Sequence, residues 1–261
     1  MKPAIRKLLL ALLITTLLLS GCGVGQTASK QQETVQYTVP EDAEVLASGA
    51  DWTLYDNGLF VFTGESMPYI ENHDEVEWFP YMDQIREVVI EKPVSSISEF
   101  AFEDCVNLER VQMPEGVRRI CISAFSGCTA LKSIDLPESL EEIEFWAFSS
   151  CGLEEVVVPG MTELSNYVFQ NCAELRRVVI SKGTVEIGFD VFENCESLEA
   201  IFLPYSTVSI GVYTFRGCSS LTDVYYGGDQ SAWDEIQIDD DNDPLLSAAL
   251  HTNAAPEDVI A

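Results

Sequence analysis

Phenylalanine recurs along this chain at nearly fixed steps. Phe102, Phe125, Phe148, Phe169, Phe192 and Phe215 are separated by 23, 23, 21, 23 and 23 residues. A period of this size marks a solenoid: each copy is one coil that cannot bury its apolar face alone, and stacking the coils makes a continuous core. Other residues keep the same step. A Cys follows each Phe by three positions, at Cys105, Cys128, Cys151, Cys172, Cys195 and Cys218. An aliphatic precedes each by five, at Ile97, Ile120, Ile143, Leu164, Ile187 and Ile210.

Each Cys is followed by L-x-x-V-x-L-P or a close variant. Leu131, Ile134, Leu136 and Pro137 give one full copy, and Leu198, Ile201, Leu203 and Pro204 another; Leu153, Val156, Val158 and Pro159 give a slightly shortened one. The end of this pattern alternates as a half-buried strand does. The Pro cannot donate to a ladder and so ends the strand. The spacing therefore predicts one parallel strand per coil, with Phe and Cys on the return path pointing inward.

These residues resemble the BspA-like leucine-rich repeats, whose rung reads roughly I-x-x-x-A-F-x-x-C-x-x-L-x-x-V-x-L-P. Ala101-Phe102, Ala124-Phe125 and Ala147-Phe148 match the Ala-Phe pair, while Val168, Val191 and Thr214 depart at the Ala. Trp52 to Gly64 resembles the hairpin that opens many members, and Val224 to Gly228 with Trp233 resembles their closing segment. The resemblance implies a β-rich solenoid of about six coils of 21–23 residues between an N-terminal β cap and a C-terminal cap. It also implies binding to proteins, in particular adhesion to host matrix or to cell-surface proteins.

The first residues read as an address. Lys2, Arg6 and Lys7 precede an apolar run, Leu8 to Leu19, that is short for a bilayer span and right for a signal peptide. The run ends in Leu19-Ser20-Gly21-Cys22, which resembles a bacterial lipobox and implies diacylglycerol on Cys22. Multiple acyl chains anchor stably where one is marginal. The expected organisation is a signal peptide over 1–21, the lipidated Cys and a flexible tether over 22–46, the N-terminal cap over 47–93, the repeats over 94–226, and the C-terminal cap and tail over 227–261. The expected location is extracytoplasmic, anchored through the lipid and exposed at the surface.

Charge limits the partners. The chain has 14 Lys plus Arg against 43 Asp plus Glu, a formal net charge of −29, and removal of the leader makes it more negative. Nucleic-acid affinity rests on Lys and Arg displacing counterions, so a nucleic-acid partner is not expected. Anionic lipid headgroups are disfavoured too, which leaves the lipid anchor as the only membrane contact. The charge maintains solubility and suits a basic or metal-bridged partner.

No catalytic set stands out. There are two histidines, His73 and His251, and no nucleophile elbow, metalloprotease or phosphate-loop motif. An enzyme is not expected, nor is a cofactor. The rung cysteines read as buried thiols, because equivalent atoms on stacked coils lie about 4.8 Å apart and a disulfide needs about 3.8 Å between Cβ atoms. One Cys per coil also spreads these ligands too far for a tetrahedral metal site, so no metal is expected. The acidic run Asp239 to Asp243 lacks the Gly and distal Glu of a calcium-binding loop, and whether it takes calcium stays open.

The expected binding residues lie on the strand. Between its two apolar positions falls an outward one: Gln112, Asp135, Val157, Val179, Phe202 and Tyr225. Its second half, Val157, Val179, Phe202 and Tyr225, is apolar, and exposed apolar patches mark interaction sites. Arg110, Glu155 and Arg177 sit two positions earlier and could rim it. Two alternatives stand beside this reading: such residues simply suit a strand surface, or they pack beneath the C-terminal segment that holds Trp233. The functional expectation is a surface-displayed protein-binding module, and the alternative is a structural or scaffolding envelope lipoprotein with only bacterial partners.

Overall fold

A computed structural model describes residues 37–92 and 94–260. The L-x-x-V-x-L segments form strands on one side of a solenoid. Arg110–Gln112 belongs to a sheet with Val45–Ser48, Trp52–Tyr55, Leu59–Phe62 and Glu87–Ile90. Glu155–Val158, Arg177–Ile180, Ala200–Leu203, Asp223–Tyr226 and Ala249–Thr252 form a second sheet on the same repeat positions. Pairing is antiparallel across the first three strands and parallel from Leu59–Phe62 onward. The register follows the repeat: Val156, Val178, Ile201, Val224 and Leu250 lie side by side.

The expectation of a strand in every copy fails at one. The segment around Ile134 forms no ladder, and it divides the two sheets. It adjoins the shortened copy, where Cys151 and Leu153 are two residues apart instead of three. The Glu154 N–H still donates to the Lys132 carbonyl at 2.9 Å, but no ladder forms beyond it.

A further sheet runs along the other side. Its seven two-residue strands are centred on the aliphatics that precede each Phe. Ile97, Ile120, Ile143, Leu164, Ile187, Ile210 and Ile238 are in register and mostly sealed from water. The coil thus turns about seven times across the described residues, with a long-strand face and a short-strand face.

Between the faces lies the core. The six repeat Phe rings are fully buried and stack with centroids 5.4–5.6 Å apart and planes 1–27° from parallel. Trp78 extends the stack at 5.9 Å from Phe102 and donates its indole N–H to the Ala101 carbonyl at 2.5 Å. The return path has a ladder of its own: Phe102 N–H donates to the Ala124 carbonyl, and Phe125 N–H to that of Ala147. Backbone polar groups beside a dry core are thereby paired, as burial requires.

The rung thiols are buried and free, in keeping with the spacing argument. Their geometry adds a detail. Cys128, Cys151, Cys172, Cys195 and Cys218 each donate to the carbonyl of the Phe one rung back, at 3.0–3.2 Å. Small apolar volume and a weak donor suit Cys to this position. Burial raises each of these thiols, Cys218 to about 12, so they resist ionisation.

Turns carry the strain. The residue two before each repeat Phe has φ between 53° and 65° in all six copies, at Phe100, Ser123, Trp146, Tyr167, Asp190 and Tyr213. The residue before each Cys is left-handed too, but there the chain uses Asp, Asn, Gly or Ser. A left-handed aromatic costs roughly 1–2 kcal/mol relative to an ordinary conformation. Neighbours offset part of it: Trp146 stacks on Tyr167 at 5.0 Å, and the Arg216 guanidinium lies 4.1 Å above the Tyr213 ring.

Candidate binding faces

The outward row of the long strands does not stay open. Val157 is 46% exposed, but Val179 and Phe202 are 3% and 4% exposed. Val259 packs on Val179 and Phe202, with Ala254, Ile260 and Tyr225 around them. Tyr225 stacks on His251 at 4.5 Å, and His251 Nε2 meets Asp223 Oδ1 at 2.7 Å. The expectation that this half of the row faces solvent is therefore corrected at Val179 and Phe202. The physical reason is simple: an apolar sheet surface was available, and the chain's own tail carries Val and Ile to cover it. The covering segment is 254–260, not the segment that holds Trp233, which packs edge-on against Tyr226.

The same thing happens at the opposite end. Tyr37 and Val39 pack over Leu59, Val61 and Val89 on the outer side of the first sheet. Of the outward row, Asp135 and Val157 in the middle are exposed, while Gln112 and Tyr225 are half-buried. There the broken ladder leaves a cleft of about 250 Å³, lined in part by Asp135, Glu138, Val157 and Ile260.

The arginines of this face are already matched. Arg110 Nη2 donates to Glu87 at 2.9 Å, and Gln112 donates to the other oxygen of the same carboxylate. The Arg110 hydrogen bond holds the Glu87 carboxyl below its usual range. Arg177 pairs with Glu155, Arg176 with Glu199 at 3.1 Å, and Arg86 with Glu109 at 3.4 Å. Arg110 and Arg177 thus have partners within the chain. Cys22 lies outside the described residues.

The short-strand face differs. Two adjoining clefts, of about 520 and 680 Å³, share Leu164 and Glu186 and form one groove across the later coils. Its acids are Glu163, Glu186, Glu235 and Asp239, and neither cleft is lined by Lys or Arg. Among the described residues, none of these four joins an ion pair. Met161, Val185, Phe189 and Val208 add exposed apolar surface along the same groove. Phe189 lies directly on backbone: a Cβ added to Gly211 would come within 2.5 Å of its ring.

Sequence reasoning passed over this groove. The signal was present as the residue before each short-strand aliphatic, where Glu142, Glu163 and Glu186 align in register. A second signal lay in the exposed Val185 and Val208, each two residues before its aliphatic. Attention to the L-x-x-V-x-L half hid both.

The described residues hold no helix long and apolar enough to cross a membrane. No curated protein matches the chain. A leucine-rich repeat protein from T. pallidum is similar, at 29% identity over 66% of this chain and 77% of that one, with a TM-score of 0.50. A leucine-rich repeat protein from Bacteroides ovatus shares 20% identity over 84% of this chain and 79% of that one, with a TM-score of 0.38. The pneumococcal vaccine antigen PcpA shares 17% over 81% and 48%, with a TM-score of 0.47. The model of the BspA type leucine-rich repeat region matches residues 66–176 and 160–231 with six copies. The chain belongs to the BspA-type leucine-rich repeat family.

Proposed function

We propose that this protein is a lipid-anchored bacterial surface protein that binds another protein through its short-strand groove, and that it is not an enzyme. The observation that carries the reading is the contrast in charge. Arginines on the long-strand face are paired within the chain, while Glu163, Glu186, Glu235 and Asp239 line a groove without a cation. Such a surface fits a basic segment with apolar side chains, laid along the coils as repeat proteins hold their partners. Carboxylates steer its approach, and Phe189, Val185 and Val208 supply the area that excludes water. In this reading the lipid on Cys22 supplies the membrane attachment. Adhesion to host matrix or to cell-surface proteins is the role this arrangement suits.

The test is a binding screen of the full chain against purified host matrix proteins and bacterial envelope proteins. A host ligand is expected whose affinity falls with salt and drops at least tenfold in Glu163→Lys/Glu186→Lys. Ligands found only among envelope proteins would replace adhesion by scaffolding. A ligand indifferent to the double charge reversal would remove the groove from the account.

A further inference from the structure

Cys121 is the one mature cysteine besides the anchor that falls outside the repeat. It follows Ile120 on the short-strand face, and register places Glu144, after Ile143, on the next rung. Glu99 comes from the preceding rung, two residues beyond Ile97. One ligand atom from each of Glu99, Cys121 and Glu144 lies within 4.8 Å of the other two. The Cys121 side chain is 2% exposed, and among the described residues its thiol has no hydrogen-bond partner. The rung thiols from Cys128 onward, by contrast, all donate to a carbonyl. Glu144 is held in place: its Oε2 accepts from the Ile122 N–H at 3.2 Å.

We propose that Glu99, Cys121 and Glu144 form a zinc site, one thiolate and two carboxylates with a fourth position open to water. Atoms bound at about 2.0–2.3 Å from a tetrahedral ion lie roughly 3.5 Å apart, so closure asks for about 1 Å of movement. The long Glu99 side chain supplies it by rotation. A borderline-soft ion suits a thiolate beside carboxylates, whereas calcium and magnesium take oxygen alone. Binding replaces the thiol proton with the metal and releases that proton to solvent. Arg119 reaches the Glu144 carboxylate only at 3.8 Å, so the chain compensates this cluster weakly. The spacing argument against a metal concerned the repeat cysteines; it does not touch a cysteine set beside acids from two neighbouring rungs.

Titration of the full chain with Zn²⁺ in competition with a chromophoric chelator should show one equivalent bound. Co²⁺ in its place should give a near-ultraviolet sulfur-to-metal band. Both should be lost in Cys121→Ser and weakened at least tenfold in Glu99→Gln, with Cys128→Ser unaffected. The Glu99 variant alters a half-buried carboxylate by an isosteric change and keeps the test valid if Cys121→Ser fails to fold. Absence of stoichiometric binding, a Co²⁺ complex without the thiolate band, or unchanged affinity in Glu99→Gln would each overturn the proposal.

Discussion

The two faces of this solenoid are built from one repeat and end in opposite states. On the long-strand face the chain consumes its own chemistry: the tail covers Val179 and Phe202, residues 37–39 cover Val89, and arginines meet glutamates one rung away. On the short-strand face the strands are two residues long, and beyond each buried aliphatic the side chains meet no second layer. Along its later coils Glu163, Glu186, Glu235 and Asp239 join no ion pair among the described residues, and Val185 and Val208 stay wet. A repeat fixes where side chains point; whether they remain available depends on what else the chain can lay over them.

What both faces share is the ring stack, and breaking it should give the largest effect. Phe148 is central, fully buried, and stacked at 5.4 and 5.6 Å on its neighbours. Phe148→Ala should cost about 3–5 kcal/mol by leaving a cavity mid-stack. Urea unfolding followed by far-ultraviolet dichroism would measure it. A cost below about 1 kcal/mol would mean that the faces are held by their ladders and not by the core between them.

The cover on the long-strand face comes next. Removing residues 254–261 should strip Val259 and Ile260 from Val179 and Phe202, at a cost of about 1–3 kcal/mol from the apolar area re-exposed. The truncated chain should also bind a hydrophobic dye that the intact one does not. If stability and dye binding are both unchanged, the tail does not seal the face, and the row proposed from sequence regains its standing as an open surface.

The sequence made the core legible because the core is what a period encodes. Phe102 to Phe215, the thiols and the strand register all follow from a step of 21–23, since each apolar position sees only its counterpart one coil away. Val179 and Phe202 were misplaced because their cover comes from Val259, which lies outside the repeat and follows no period. The acidic groove was legible in principle, as Glu142, Glu163 and Glu186 align in the same copies that revealed the core. Exposed positions, however, announce themselves only after the inward ones are assigned. The short-strand sheet and the bond from each rung thiol after Cys105 to the preceding Phe carbonyl had no signal beyond side chains of the right size.

Titration separates the faces by sign, with the smallest expected energies. Glu87 is held below its usual range, chiefly by the hydrogen bond from Arg110. Its pairing therefore contributes stability above the unfolded pKa, and that contribution disappears as pH falls through the lower folded value. Glu87→Gln should destabilise at neutral pH by about 0.2–1 kcal/mol, the range of partly exposed ion pairs, and the deficit should fade in acid. Glu144 on the short-strand face is raised, first by burial and then by Glu142. The folded state there favours the protonated carboxyl, so stability is present below the unfolded pKa and lost as pH rises through the folded one. Glu144→Gln should accordingly stabilise at neutral pH and lose its advantage in acid, the reverse of Glu87→Gln. Unfolding midpoints of the two variants at pH 7 and pH 4, measured in the presence of a metal chelator, decide the matter. If both variants shift in the same direction at pH 7, the two faces do not differ electrostatically at these carboxylates.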